Sequence, residues 1–176
     1  MKLLRTIRLD PYDTFVFDKA AKPGEWAVSG TFAFAHDEIA TLTGKARAAF
    51  RSGFLGIDTL GWSTLVQVVE ASEEQRSAAV ELLAERLVEH FGAPDLASAL
   101  PAAEEEIAFA ASLSDHPKGM LAAVSRKYED GAIRESFRTL TPSIGPKPLR
   151  AYAFLEVVGE EEPEERVDLQ KLGKRG

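Results

Sequence analysis

The chain has 176 residues, no cysteine and a formal charge of −7. Such a length accommodates one domain whose core needs no staple, and the missing thiols exclude disulfides, thiolate metal sites, iron–sulfur clusters and cysteine catalysis. The acidic balance, with a pI near 5.1, argues against a nucleic-acid partner, which calls for a basic domain or stripe.

The N-terminus, Met1-Lys-Leu-Leu-Arg-Thr-Ile-Arg8 followed by Asp10-Pro11, interrupts its apolar residues with bases and lacks the apolar core of a signal peptide. No apolar run reaches the length of a bilayer crossing. A cytoplasmic protein with no membrane partner is therefore expected. Strand patterns follow at Leu3–Leu9, at Thr14–Lys19 and, after the turn Lys22-Pro23-Gly24, at Trp26–Phe34, where Trp26, Val28, Phe32 and Phe34 share one parity. Gly30 inside the last run marks a bulge or the close approach of another backbone.

Asp37 is placed to cap a helix that carries Ile39, Leu42, Ala46, Ala49 and Phe50 and stops near Gly53, with Gly44 as an unfavourable interior residue. Gly53, Gly56 and Gly61 then space a loop. Their arrangement, with Lys45, Arg47 and Arg51 nearby, invites an anion-cradle reading, but the glycines follow a helix where a phosphate cradle precedes one, so a structural loop is preferred. Trp62–Val69 reads as a strand. Ser63 in Gly61-Trp-Ser-Thr-Leu65 lacks both the second glycine and the strand-to-helix turn of a nucleophile elbow.

The strongest local signal comes next. Ser72 and Gln75 form a capping box, Glu73 and Glu74 suit the first turn of a helix, and Val80, Leu83, Ala84, Leu87, Val88 and Phe91 recur on one helical stripe that Gly92 closes. A further helix is expected over 101–114, with Pro101 in its first turn, Glu104-Glu105-Glu106 as solvated early residues, and Ile107, Ala110, Ala111 and Ser114 on its small-residue face.

The segment 120–140 fits both periods, since Leu121, Val124 and Tyr128 and then Ile133, Phe137 and Leu140 suit a helix as well as a strand. Asp130-Gly131 favours a hairpin. With that turn Tyr128 opposes Ile133, Arg126 opposes Glu135 and Val124 opposes Phe137 on one face. The other face pairs Lys127 with Arg134, Ser125 with Ser136 and Ala123 with Arg138. Thr141–Pro148 is a loop by composition, Leu149–Val158 a last strand with an interior place, and 160–176 a charged tail of six acids and four bases.

The segments Leu3–Asp10, Gly24–Gly30 and Ala49–Gly56, together with Gly61–Leu65, resemble a family of uncharacterised bacterial proteins of similar size. The resemblance covers most of the chain except the tail. It implies a bacterial cytoplasmic protein and carries over no activity, cofactor or catalytic residue.

The expected fold is a single α+β domain over 1–159, a mostly antiparallel sheet covered by helices 37–52, 72–91 and 101–114. No cofactor or metal motif is spelled, and His36, His90 and His116 stand too far apart for a zinc helix. The leading functional expectation is a non-catalytic binding protein that recognises a partner protein or a small anionic ligand. Its site is the basic hairpin face of Lys127, Arg134 and Arg138 with Ser125 and Ser136, because like charges set opposite each other ask for an anion. The rival is an enzyme on an anionic metabolite in which Asp115 and His116 handle protons. A homo-oligomer joining the basic face to an acidic patch of the next subunit is the third reading.

Overall fold

The computed structural model describes residues 1–9, 11–142 and 155–161. Among these, eight strands form one sheet: β1 (Lys2–Ile7), β2 (Trp26–Val28), β3 (Phe54–Gly56), β4 (Trp62–Ser63), β5 (Leu65–Glu70), β6 (Leu121–Glu129), β7 (Ala132–Pro142) and β8 (Leu155–Glu161). Their order is β4-β3-β2-β1-β5-β6-β7-β8 and each of these neighbours pairs antiparallel. The helices are α1 (Tyr12–Val16), α2 (Gly44–Ser52), α3 (Glu73–His90) and α4 (Leu96–Leu113), with 3-10 turns at Thr31–Phe34 and Ile39–Thr41. The α+β class read from the sequence holds.

One residue, Thr64, separates β4 from β5, yet three strands lie between them in the sheet. In a flat sheet those strands would stand about 19 Å apart, four spacings of roughly 4.8 Å, whereas one intervening residue spans about 7 Å. The sheet must therefore curl until β4 and β5 become two halves of one bent strand. Ser63 pins the bend: its Oγ donates to the Ile7 carbonyl at 2.8 Å and to the Leu65 carbonyl at 2.6 Å. Thr64 Oγ1 donates to Asp13 Oδ1 at 2.6 Å, which ties α1 to the same corner.

Local chemistry explains where the elements start and stop. At α3 both bonds of the capping box form, Gln75 N–H to Ser72 Oγ at 3.1 Å and Ser72 N–H to the Gln75 side chain at 2.9 Å, and Gly92 takes φ +79° past the helix end. The apolar stripe is buried through Val80, Leu83, Ala84 and Leu87, against the sheet residues Leu4, Val28, Phe54, Val66 and Val68. Helix α4 adds Ala99, Ala103, Ile107 and Ala110 to that core. A second cluster of Phe17, Phe34, Ile39, Phe50 and Ile133 fills the space beneath α1, α2 and the end of the β6–β7 ribbon.

Several expected elements are corrected. Thr14–Lys19 is no strand: residues 12–16 form α1, because Asp13 and Leu9 exchange hydrogen bonds across Pro11. The run from Trp26 ends as a strand at Val28, since Gly30 adopts φ +84° and turns the chain into the first 3-10 turn. The helix expected from Asp37 begins only at Gly44, whose φ of +59° makes it a starting residue in place of an interior one. Phe54–Gly56, read as loop, pairs with both β2 and β4.

Helix α4 begins at Leu96, earlier than expected, because Asp95 caps it by accepting from Ser98 N–H at 2.8 Å. The Ser98 hydroxyl and N–H hold the Asp95 carboxyl below its ordinary range. Pro101 consequently lies inside the helix, and Glu104 to Glu106 lie in its middle, where Glu104 pairs with Arg76. The last strand runs over Leu155–Glu161, so Glu160 and Glu161, assigned to the tail, belong to it. Pairing with β7 alone puts it at the sheet edge among the described residues, where an interior place was expected. The loop 143–148, the expected strand start at 149–154 and the tail from 162 lie outside the described residues.

At Gly30 an added methyl would lie 2.6 Å from Leu55 Cβ on a backbone of φ +84°. Left-handed strain and overpacking together predict that Gly30→Ala destabilises the domain by about 2–4 kcal/mol, read as a lowered urea midpoint at unchanged slope.

Candidate functional site

The candidate site is built on the β6–β7 ribbon. Asp130 and Gly131 both have positive φ, +52° and +74°, the pair that a two-residue hairpin turn of matching twist requires. The turn sets the register: Glu129 opposes Ala132, Tyr128 Ile133, Lys127 Arg134, Arg126 Glu135, Ser125 Ser136, Val124 Phe137 and Ala123 Arg138. Alternation then sorts these residues onto two faces of different character.

The inward face carries Val124 and Phe137 in the main core and Ile133 in the second cluster. Between those apolar clusters sit Arg126 and Glu135, 1% and 3% exposed. Arg126 Nε donates to Glu135 Oε1 at 2.9 Å and to Thr31 Oγ1 at 3.0 Å, while Nη1 donates to the carbonyls of Phe50 at 3.0 Å and Gly53 at 2.8 Å. Nη2 donates to the Ser29 carbonyl, and Ser29 Oγ donates to Glu135 Oε1 at 2.9 Å. The guanidinium thus satisfies carbonyls that the end of α2 leaves open, where a cation also complements the helix dipole. Burial pushes the Arg126 pKa down, and the carboxylates of Glu135 and Glu106 oppose that shift; guanidinium groups in proteins nevertheless stay charged.

Ser125, Lys127, Arg134, Ser136 and Arg138 share the outward face. Ser125, Lys127 and Arg138 are exposed, and Arg134 and Ser136 are half-buried. Lys127 stands directly opposite Arg134. Arg134 Nε lies 3.8 Å from Glu129 Oε2, a solvent-exposed pair of small energetic weight. Arg138 opposes Ala123 on one side and Glu160 of β8 on the other.

His116 and Asp115 lie elsewhere. Both belong to the turn between α4 and β6, where the His116 carbonyl accepts from Lys2 Nζ at 2.7 Å and its N–H donates to the Ser114 carbonyl at 2.8 Å. From Leu121, at the start of β6, to Lys127 is about 20 Å of strand. The ribbon therefore separates His116 and Asp115 from Lys127 and Arg134, while Arg138 sits nearer to the base.

The remaining sequence candidates have structural occupations. Ser63 is buried at the bend. His36 is exposed, and His90, in the last turn of α3, lies 3.7 Å from Glu89 Oε2. The glycine-spaced loop does hold an anion, but an internal one: the Glu25 carboxylate accepts from the N–H groups of Asp58 at 3.0 Å, Thr59 at 2.8 Å and Lys22 at 2.6 Å, and from Thr59 Oγ1 at 2.6 Å. A side chain at Gly56 would strike that carboxylate, at 2.7 Å from Oε1. Arg126 was legible only as a cross-strand partner of Glu135. The sequence already placed it on one face with Val124, Phe137 and Ile133, and the consequence not drawn was that this parity turns the pair toward the core.

Fold and site together define an α+β domain that presents an outward ribbon of bases and hydroxyls over a buried ion pair. The chain belongs to a family of unknown function, DUF6505, which matches residues 1–152. Comparison with curated proteins and with solved structures finds no match.

Removing one partner of a buried ion pair leaves an uncompensated charge. Arg126→Met is expected to destabilise by about 3–5 kcal/mol, and Arg126→Met with Glu135→Leu to recover most of that loss. Urea unfolding of the two singles and the double measures the coupling, and a double mutant no more stable than Arg126→Met would contradict it.

Proposed function

We propose that this domain is a non-catalytic binding module whose outward ribbon face, Lys127, Arg134 and Arg138 with Ser125 and Ser136, recognises an acidic extended segment of a partner protein. The observation that carries the reading is the opposition of Lys127 and Arg134 on an exposed face with Arg138 further along it. Opposed like charges destabilise a bare sheet, and an anion laid across them removes the repulsion.

Spacing favours an extended peptide over a compact anion. Arg134, Ser136 and Arg138 follow one another at every second residue, about 7 Å apart, so the two arginines are separated by about 14 Å. Alternate side chains of a strand share that spacing, whereas a single phosphate or carboxylate reaches only part of the row. Helix α2 packs against the inward side of β6, where its end carbonyls accept from Arg126, so its exposed bases Lys45, Arg47 and Arg51 add positive charge near the ribbon but not on its outward face, in an otherwise acidic chain. Such a field raises the association rate with acidic partners.

The test is fluorescence anisotropy with a labelled peptide of alternating glutamate and serine. Saturable binding is expected that Arg134→Glu with Arg138→Glu weakens by about tenfold or more and that added salt screens. The melting temperature of the double variant stays close to that of the parent, because exposed charges contribute little stability. Equal affinity for parent and variant would remove the proposal.

A further inference from the structure

We infer that Arg5 anchors a second ligand site on the outward side of the sheet, one that takes the carboxylate of a small monoacid or of a chain end. The site is separate from the basic row of the ribbon and does not depend on the binding reading above.

Strand pairing builds the site. Arg5 of β1 stands directly opposite Trp26 of β2 on one side and Gln67 of β5 on the other, and Gln67 in turn opposes Leu121 of β6. Residues opposed in an antiparallel ladder share a face, and Leu121 has the parity of Ser125 and Lys127, so Arg5 lies on the outward side. Three strand spacings, about 14 Å in a flat sheet, separate it from β7. Between them lies the apolar cluster of Leu65, Leu121 and Leu140, against which Ile7, Leu9 and Ala123 pack. Arg5 is therefore governed by its own surroundings and not by the ribbon.

Those surroundings hold the guanidinium in place and leave it without a counter-ion. Arg5 Cζ sits over the Trp26 ring, 4.2 Å from its centroid, a cation–π contact that fixes the group and covers one of its sides. The side chain is half-buried, and its Nε is buried with no hydrogen-bond partner. Among the described residues no carboxylate pairs with it. Arg126 shows the contrast, since its fork meets Glu135, a hydroxyl and backbone carbonyls. Donors left unmet in partly dry surroundings cost free energy that a bound anion recovers. Gln67 stands beside them with its Nε2 donating to the Gly119 carbonyl at 3.4 Å, and the second N–H of the amide remains for a bound oxygen.

Charge selects the ligand. One guanidinium balances a single negative charge, and its planar fork matches a planar carboxylate. A phosphate monoester carries about −1.5 to −2 at neutral pH and calls for a second base. The residues opposed to Arg5 are Trp26 and Gln67, and its neighbours on the same face of β1 are Leu3 and Ile7, none of them a base.

The chain has two tryptophans, and Trp26 is a probe in contact with the site. Their indole N–H signals are followed in a nitrogen–proton NMR spectrum of the full chain, assigned with Trp26→Phe. Sodium acetate is expected to shift the Trp26 signal saturably while that of Trp62, stacked on Phe34, stays in place. Acetamide, and sodium chloride at equal ionic strength, should move neither. Arg5→Gln should weaken acetate binding about tenfold or more and Gln67→Leu about threefold. Arg5→Lys keeps the charge, loses the fork and should also weaken binding, which serves the test if Arg5→Gln does not fold. Arg134→Glu with Arg138→Glu should leave acetate affinity unchanged, so this site and the ribbon reading fail separately. Triglycine and its C-terminal amide separate the two sources of carboxylate: binding of triglycine but not of the amide supports a chain end, and binding of neither supports a free acid. An unmoved Trp26 signal, equal acetate affinity in the parent and Arg5→Lys, or inorganic phosphate bound more tightly than acetate would overturn the inference.

Discussion

The structure turns on the guanidinium of Arg126. It sits where three parts of the chain converge: the β6–β7 ribbon that carries it, the Ser29–Thr31 turn, and the carbonyl end of α2 at Phe50 and Gly53. Each part arrives with unmet acceptors, and a fork of five N–H donors answers them together. Glu135 across the ribbon balances the charge at 2.9 Å. A buried pair of this kind adds little net stability against an apolar isostere, because desolvation offsets the attraction. Its effect is one of specificity: only one placement of ribbon, turn and helix satisfies the whole set.

That placement determines the candidate site. With Arg126 and Glu135 held inward, alternation forces Ser125, Lys127, Arg134 and Ser136 outward, and a one-residue slip would bury those cations in the core. The buried pair and the basic face are therefore two sides of one register. Closure of the sheet at Thr64 contributes by curling β2 and β3 toward the ribbon, and the Glu25 carboxylate fixes the loop that makes the curl possible.

What the sequence made legible follows from the range of the forces involved. The α3 capping box, the Asp130-Gly131 turn and the register of the ribbon rest on contacts between residues close in sequence, and each was readable in advance. The failures share one cause, which is tertiary partners overriding local preference. Trp26–Phe34 has strand parity throughout, but Gly30 turns the chain at φ +84°, with Leu55 and Trp62 packed so close that a side chain there would strike them. Pro101 looks like a helix start until Asp95 and Ser98 begin the helix one turn and more before it. Glu160 and Glu161 read as solvated tail, yet β7 supplies a ladder and an opposing arginine.

The sequence by itself determined the single α+β domain, the amphipathic α3 and the two-faced ribbon with its opposed Lys127 and Arg134, since periodicity and turn chemistry act over a few residues. Only the tertiary structure decided that Arg126 is buried, that the glycine loop wraps Glu25, that the sheet curls at Thr64, and that β8 runs beside the basic row. Those outcomes join residues dozens of positions apart, such as Arg126 and Ser29, and depend on which unmet donors and acceptors meet once the chain has closed. No local pattern encodes that meeting, because it is decided by the energetic cost of leaving buried polar groups unpaired.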